Sequence, residues 1–392
     1  MTGPRVHQTE IKLNDGRCLG QLTLNHPKAL NALRLDMVET LQRAIDAWEA
    51  RDDVVAIVID ADSDKAFCAG GDIVNLYRSS VGDGEADYPE RFFTAEYRLC
   101  HDLRRLSTPC IAWGHGIVMG GGCGVFAAAS HRVLTETSRL AMPEIKIGLF
   151  PDCAATWFFN RMPAYLARFL ALTGASLNAA DSLFAGLADH AISHAAKADV
   201  LAGLAAVDDW RDPQTTVAWI LAETEAARPA AEAGEARLQA HLDTIRQAAS
   251  GADLTQIVER LSGLATADDA WLAEAGHNLI AGCPVTAHLV YRQLEFGRYL
   301  SLREAIQTEL AMALQCCAHP DFPEGVRALL IDKDQQPRWR FKHVAEVPAN
   351  YVDRHFVPPW TGRHPLADLA PSPGFGIDDA AAAQPMSVAG AS

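Results

Sequence analysis

An α/β core followed by a helical C-terminal extension is the fold class this sequence predicts, and three observations carry that expectation. The run Val54-Val55-Ala56-Ile57-Val58-Ile59 is apolar without alternation, as a strand covered on both faces should be. It lies between stretches of helical period, so strand and helix alternate through the first third of the chain. From about Pro163 onward the strand signals stop, and Leu- and Ala-rich helical stretches take over, broken at Gly174, Gly186, Pro229, Gly251 and Pro284.

Arg34 opens the first helix: Val38, Leu41, Ile45 and Trp48 recur at helical spacing, with Asp36, Glu39, Arg43 and Asp46 on the other side. The buried strand 54–59 follows. Residues 92–106 again read as a helix, which Pro109 ends, and Cys110-Ile111-Ala112-Trp113 resumes a buried strand. Residues 132–135 and 139–142 are further strand candidates. Residues 224–250 are so rich in alanine and charge that they predict a surface helix pair with little core of its own. Residues 358–392 contain six prolines, four glycines and a run of four alanines at 380–383, so most of them are expected as a poorly ordered tail.

Composition narrows the function classes. With 49% hydrophobic and 21% charged residues the chain is of ordinary globular character. Its 34 basic and 49 acidic side chains give a net charge of −15, which opposes the counterion release that drives nucleic-acid binding; no nucleic-acid partner is expected. No run approaches the roughly 18 apolar residues of a membrane span, and residues 1–20 hold no apolar stretch of signal-peptide length. A cytoplasmic protein without membrane association is the expectation. Nine cysteines without a C-x-x-C pair fit reduced, buried thiols and support neither a zinc framework nor a disulfide scaffold.

Three segments carry chemistry. Ala66-Phe67-Cys68-Ala69-Gly70-Gly71-Asp72-Ile73 places consecutive glycines between a strand and a helix, where backbone N–H groups can approach an anion or a developing oxyanion. The same residues read equally as a tight turn. Gly120-Gly121-Gly122-Cys123-Gly124 also follows a strand, and it serves close helix packing as well as exposed amides. Its spacing from Gly114 and Gly116 puts the third glycine one place late for a dinucleotide fingerprint. Met142-Pro143-Glu144-Ile145-Lys146-Ile147-Gly148-Leu149-Phe150-Pro151-Asp152 sets two carboxylates in an apolar segment. Burial raises a carboxyl pKa, and two such acids can divide acid, base and nucleophile roles, whereas surface solvation is the ordinary state of an isolated Asp or Glu.

In this order, and with Pro27-Lys28-Ala29-Leu30-Asn31-Ala32 before them, the segments resemble the crotonase (enoyl-CoA hydratase/isomerase) superfamily. Within it the chain resembles the 3-hydroxyisobutyryl-CoA hydrolase family, through Phe93-Thr94-Ala95-Glu96-Tyr97, Gly148-Leu149-Phe150-Pro151-Asp152 and the distant Asp321-Phe322-Pro323-Glu324-Gly325-Val326-Arg327. The resemblance implies a spiral of ββα units over residues 8–190 that binds acyl-CoA; the helical pattern places an extension over 191–345, and the composition of the chain end, which lies outside the resemblance, predicts a mostly irregular tail over 346–392.

The resemblance also implies roles. The amides of Gly71 and Gly121 form the oxyanion hole for the thioester oxygen, and Lys28 and Ala29 match a segment lining the CoA site. A hydratase places a glutamate directly after the G-G-G-C run, and here that position is Gly124. The hydrolase family instead pairs the glutamate matching Glu144 with the aspartate matching Asp152 and adds an acid matching Glu96 in substrate binding. The implied activity is hydrolysis of an acyl-CoA thioester, most directly 3-hydroxyisobutyryl-CoA in valine catabolism. No metal and no cofactor is implied, since coenzyme A belongs to the substrate, and the reading leaves room for a homo-oligomer. The alternatives are an enoyl-CoA hydratase or isomerase and a catalytically silent acyl-CoA-binding protein. After Asp152, where the family usually has glycines, stand Cys153-Ala154-Ala155, whose added bulk bears on acyl preference.

Overall fold

The computed structural model describes residues 4–231 and 234–371. The strands are β1 (Val6–Lys12), β2 (Cys18–Leu24), β3 (Val54–Ala61), β4 (Ala66–Cys68), β5 (Cys110–Gly114), β6 (Ile117–Met119), β7 (His131–Leu134), β8 (Arg139–Ala141) and β9 (His190–Ala191). They form a six-stranded sheet in the order β1-β2-β3-β5-β7-β9 and a three-stranded sheet in the order β4-β6-β8. Among these strands β1 and β2 pair antiparallel, and the other strand pairings are parallel. From β3 onward the chain alternates between the sheets, and helices follow each visit to the small one. This is the ββα spiral expected from the resemblance.

Helix α1 (Leu35–Glu49) buries Met37, Val38, Leu41, Ala44, Ile45 and Trp48, the stripe its spacing predicts. The strand β3 is buried along its whole length because both faces are covered. Ile57 and Ile59 join the larger core. Val55 and Val58 join a smaller one, where the helices Lys197–Ala205 and Pro213–Ala227 supply Val200, Leu204, Val217 and Leu221. Composition does not reveal β1, an edge strand whose residues are mostly exposed and polar.

Two expectations for the C-terminal half are corrected. Residues 224–250 do carry core: Leu238, Ile245, Ala248 and Ala249 are buried in the larger cluster, because the helix Leu242–Ala249 packs on the helix Ala164–Thr173. Residues 346–371 are mostly irregular apart from the helix Ala349–Arg354, but the expectation of a poorly ordered tail fails over 358–371, which bury Leu366 and Leu369. Polar ties hold that stretch down, with Gln307 Nε2 donating to Leu366 O at 2.9 Å and Arg98 paired with Asp368 at 2.7 Å. The expectation for residues 372–392 falls outside the described residues.

The helical extension shares the core of the spiral. The helices Pro284–Gly297 and Leu302–Ala318 place Leu289, Val290, Ile306, Leu310 and Met312 in the same buried cluster as Phe92 and Phe150. All nine cysteines are buried free thiols. Among the described residues no helix is long and apolar enough to cross a membrane.

Candidate active site

Each of the three chemical segments leaves the small sheet and turns toward one cavity. After β4 the chain turns at Gly70, whose φ of +122° suits glycine, and Asp72 caps α2 (Ile73–Ser80) by accepting the Asn75 N–H. After β6 it enters α4 (Gly121–Ala128) through Gly120 at φ +50°. As the first helical residue, Gly121 has an N–H with no carbonyl one turn back. Neither it nor the Gly71 N–H donates to another backbone or side-chain acceptor among the described residues. The two amides border the same space, since a Cβ on Gly121 would stand 3.5 Å from Gly71 N. That Cβ would also collide with Glu96 Oε1, so a side chain there would displace the Glu96 carboxyl from the cavity.

After β8, Glu144 opens the short 3-10 turn Glu144–Ile147, which ends in left-handed Gly148. Glu96 and Tyr97 come from α3 (Tyr88–Arg105), and Asp152 from the turn leading into α5 (Ala155–Phe159). The cavity, about 370 Å³, is lined by Gly71, Gly121, Glu96, Glu144 and Asp152 among largely apolar neighbours such as Phe92 and Leu149. All three acids are buried, at 1% exposure for Glu96, 5% for Glu144 and 4% for Asp152. Among the described residues Glu96 Oε1 and Glu144 Oε2 have no hydrogen-bond partner, which leaves two polar atoms facing a ligand. Asp152 Oδ2 accepts the Tyr97 hydroxyl at 2.7 Å.

Desolvation dominates the electrostatics. Burial, with the charge of Asp152 beside them, pushes Glu144 and Glu96 well above the usual carboxyl range. Asp152 is pushed up by burial to about 6, held from going further by the Tyr97 hydroxyl. Three carboxyls in one low-dielectric cavity do not all ionise together, and protons shared among them make acids and bases competent near neutral pH. Glu96, Asp152 and Cys153 also offer ligand atoms within 4.8 Å of one another, the one cluster of metal-ligand spacing among the described residues. Burial pushes the Cys153 thiol well above its usual range, so it faces this cluster as a neutral group.

Of the residues singled out from sequence, Glu96, Glu144, Asp152, Gly71 and Gly121 come together. Lys28 and Ala29 do not border the cavity. They sit exposed on the 3-10 turn Pro27–Ala29, which is tied to the Gly70 turn by Ala69 N–H to Leu30 O at 3.0 Å and Leu33 N–H to Gly70 O at 2.8 Å. Gly124 faces Cys153: a Cβ there would overlap Cys153 Cβ and lie 3.1 Å from Cys153 O. Sequence reasoning missed Glu309 and Gln293, two buried polar residues more than 130 positions from the Asp152 turn that they contact. No local motif marks either.

A family model described as enoyl-CoA hydratase/isomerase matches residues 19–356. The mitochondrial 3-hydroxyisobutyryl-CoA hydrolase of Xenopus tropicalis is 34% identical, with 91% of each chain covered. The mitochondrial 3-hydroxyisobutyryl-CoA hydrolase of Homo sapiens is 33% identical over 88% of each. Among solved structures, a carnitinyl-CoA dehydratase from Mycobacterium thermoresistibile superimposes with a TM-score of 0.78 at 30% identity, covering 91% of this chain and 97% of that one.

Proposed function

The chain belongs to the enoyl-CoA hydratase/isomerase family, and we propose that within it the chain is an acyl-CoA thioester hydrolase, converting 3-hydroxyisobutyryl-CoA and water to 3-hydroxyisobutyrate and free CoA. The observation that carries this choice is at position 124. A hydratase needs a second acid there to handle water, but this position is glycine and Cys153 occupies the space a side chain would need. Glu144 and Asp152 instead line the cavity with the paired amides. The identity with relatives named as hydrolases supports the same choice over the dehydratase whose fold the chain shares.

In this reading the thioester oxygen accepts the Gly71 and Gly121 N–H groups, each such donor being worth roughly 3–4 kcal/mol to a tetrahedral oxyanion. Ionised Glu144 either attacks the thioester carbon, expelling CoA thiolate and leaving an anhydride that water opens, or takes a proton from a water that attacks directly. In both routes the thiolate leaves as CoA after protonation. Asp152, oriented by Tyr97, holds the water or the substrate hydroxyl, and the free Oε1 of Glu96 offers a further polar contact. These steps call for no metal or redox group. A place in valine breakdown follows from the substrate.

The test is thiol release measured with a small panel of esters. Free CoA should appear from 3-hydroxyisobutyryl-CoA, with negligible loss of enoyl absorbance from crotonyl-CoA. Enoyl hydration faster than thioester cleavage would replace the hydrolase by a hydratase. Binding of CoA esters without either reaction would leave a silent binder.

A further inference from the structure

The turn that presents Asp152 is held in an unfavourable conformation. Cys153 (φ +55°) and Ala154 (φ +74°) both occupy the left-handed region, which side-chain-bearing residues adopt at a cost. Such a turn persists only where its surroundings over-determine it.

Two side chains of the C-terminal extension do so. Glu309, on the helix Leu302–Ala318, is fully buried, and its two oxygens accept the N–H groups of Ala154 at 2.7 Å and Thr156 at 2.8 Å. Gln293, on the helix Pro284–Gly297, is 1% exposed and donates through Nε2 to Pro151 O at 2.6 Å and to Thr156 Oγ1 at 2.8 Å. The backbone is therefore gripped on both sides of Asp152, at residues 151, 154 and 156. We propose that Glu309, assisted by Gln293, is a positioning residue: it pins the left-handed turn and so fixes where the Asp152 carboxyl points within the cavity.

A buried carboxylate is an expensive way to hold a loop, because burial penalises its charge. Glu309 shows this directly, its pKa being pushed up to about 8 by burial. A carboxyl presents an oxygen to each of two converging N–H groups in either protonation state, because the hydroxyl oxygen of the protonated form keeps acceptor capacity. A glutamine in its place would turn an NH₂ toward one of them, losing one bond and adding a donor–donor conflict at unchanged size.

This inference rests on the hydrolase reading for its kinetic consequence and is independent of it for its structural one. Glu309→Gln should speed hydrogen exchange at the Ala154 and Thr156 amides while amides elsewhere keep their protection. In thiol release it should lower kcat per folded molecule at least about tenfold and leave KM within about threefold, since the misplaced group acts on the chemical step. Adding Ala154→Gly to Glu309→Gln should recover several-fold of the lost kcat, because glycine adopts φ +74° without strain. Should the Glu309 variant not fold, Gln293→Met, which removes two of the four bonds without touching charge, should lower kcat at least about threefold with KM preserved. Unchanged exchange at Ala154 and Thr156 would overturn the proposal whatever the protein does to esters. So would faster exchange with unchanged kcat, or a loss carried by KM alone. A wild-type protein that releases no CoA would instead sink the hydrolase reading, while the exchange result still decides whether Glu309 holds the turn.

Discussion

Glu144, the carboxyl most exposed to the demands of the chemistry, has one oxygen without a partner and a pKa raised by burial and by Asp152. Glu144→Gln keeps the shape but removes both the base and the nucleophile, so turnover should fall at least about 10²-fold while CoA binding persists, as thiol release and equilibrium binding would show. The raised values set the sign of the pH dependence. A base must be ionised to act, and its activity is lost as pH falls through the folded-state pKa. With Glu144 pushed upward and Asp152 up to about 6, the acid limb of kcat/KM should therefore lie well above the 4.5 of an ordinary glutamate. A profile flat down to pH 5 would remove these acids from the rate-determining chemistry. At Gly124, substitution by Glu should neither create hydratase activity nor raise CoA release. Its Cβ overlaps Cys153, and another carboxylate in the cavity's surroundings would further disfavour ionised Glu144.

The extension seats one of the spiral turns that line the cavity. The helix Asp321–Val326 packs on the turn Glu144–Ile147 with almost no clearance. A Cβ on Gly325 would stand 2.5 Å from the Ile147 carbonyl carbon, and one on Gly148 would stand 2.6 Å from the Asp321 carbonyl carbon. The glycine of the Asp321-Phe322-Pro323-Glu324-Gly325 motif is thus what lets the extension seat the turn that starts with Glu144. Gly325→Ala should overpack this contact, cost about 1–3 kcal/mol of stability and reduce kcat by displacing Glu144, checked by thermal melting alongside thiol release. A melt shifted with kcat per folded molecule unchanged would limit the contact to packing.

Across the whole molecule the buried acids couple stability to pH. Glu309 moves from an ordinary 4.5 to about 8 on folding, so the native state binds more protons than the unfolded chain between those values. Its contribution is fully present below the unfolded pKa and is lost as pH rises through the folded one. Buried histidines such as His355, pushed down to about 4, act oppositely, but only below the ordinary histidine pKa of about 6.5. From pH 7 to 9 the acid term stands without that opposition, and only as pH nears 9 do buried thiols pushed up to about 12, among them Cys110 and Cys283, begin to add to it in the same direction. The melting temperature should fall over that range, and Glu309→Gln should flatten the slope between pH 7 and 8.5. A second global prediction concerns the chain end. Deleting everything beyond residue 356 removes Leu366 and Leu369 from the core, and at about 1.5–3 kcal/mol per buried leucine the melting temperature should drop by several degrees.

In the sequence, strands such as 54–59 and helices such as 34–48 declare themselves through local pattern, whereas the ββα spiral and the roles of Gly71, Gly121, Glu144 and Asp152 are legible only through the family resemblance of their motifs, since the same residues taken singly also read as tight turns and solvated acids. Only the tertiary structure decided what those motifs feel. The upward shifts of Glu96, Glu144 and Asp152 come from burial and from one another's charge across loops distant in sequence. The closure of position 124 comes from Cys153, and the hold on the Asp152 turn comes from Glu309. The alanine-rich stretch before 250 and the proline-rich stretch before 371 likewise owe their burial to the helices they meet, because whether a weakly apolar segment leaves water depends on the surface opposite it, which composition does not contain.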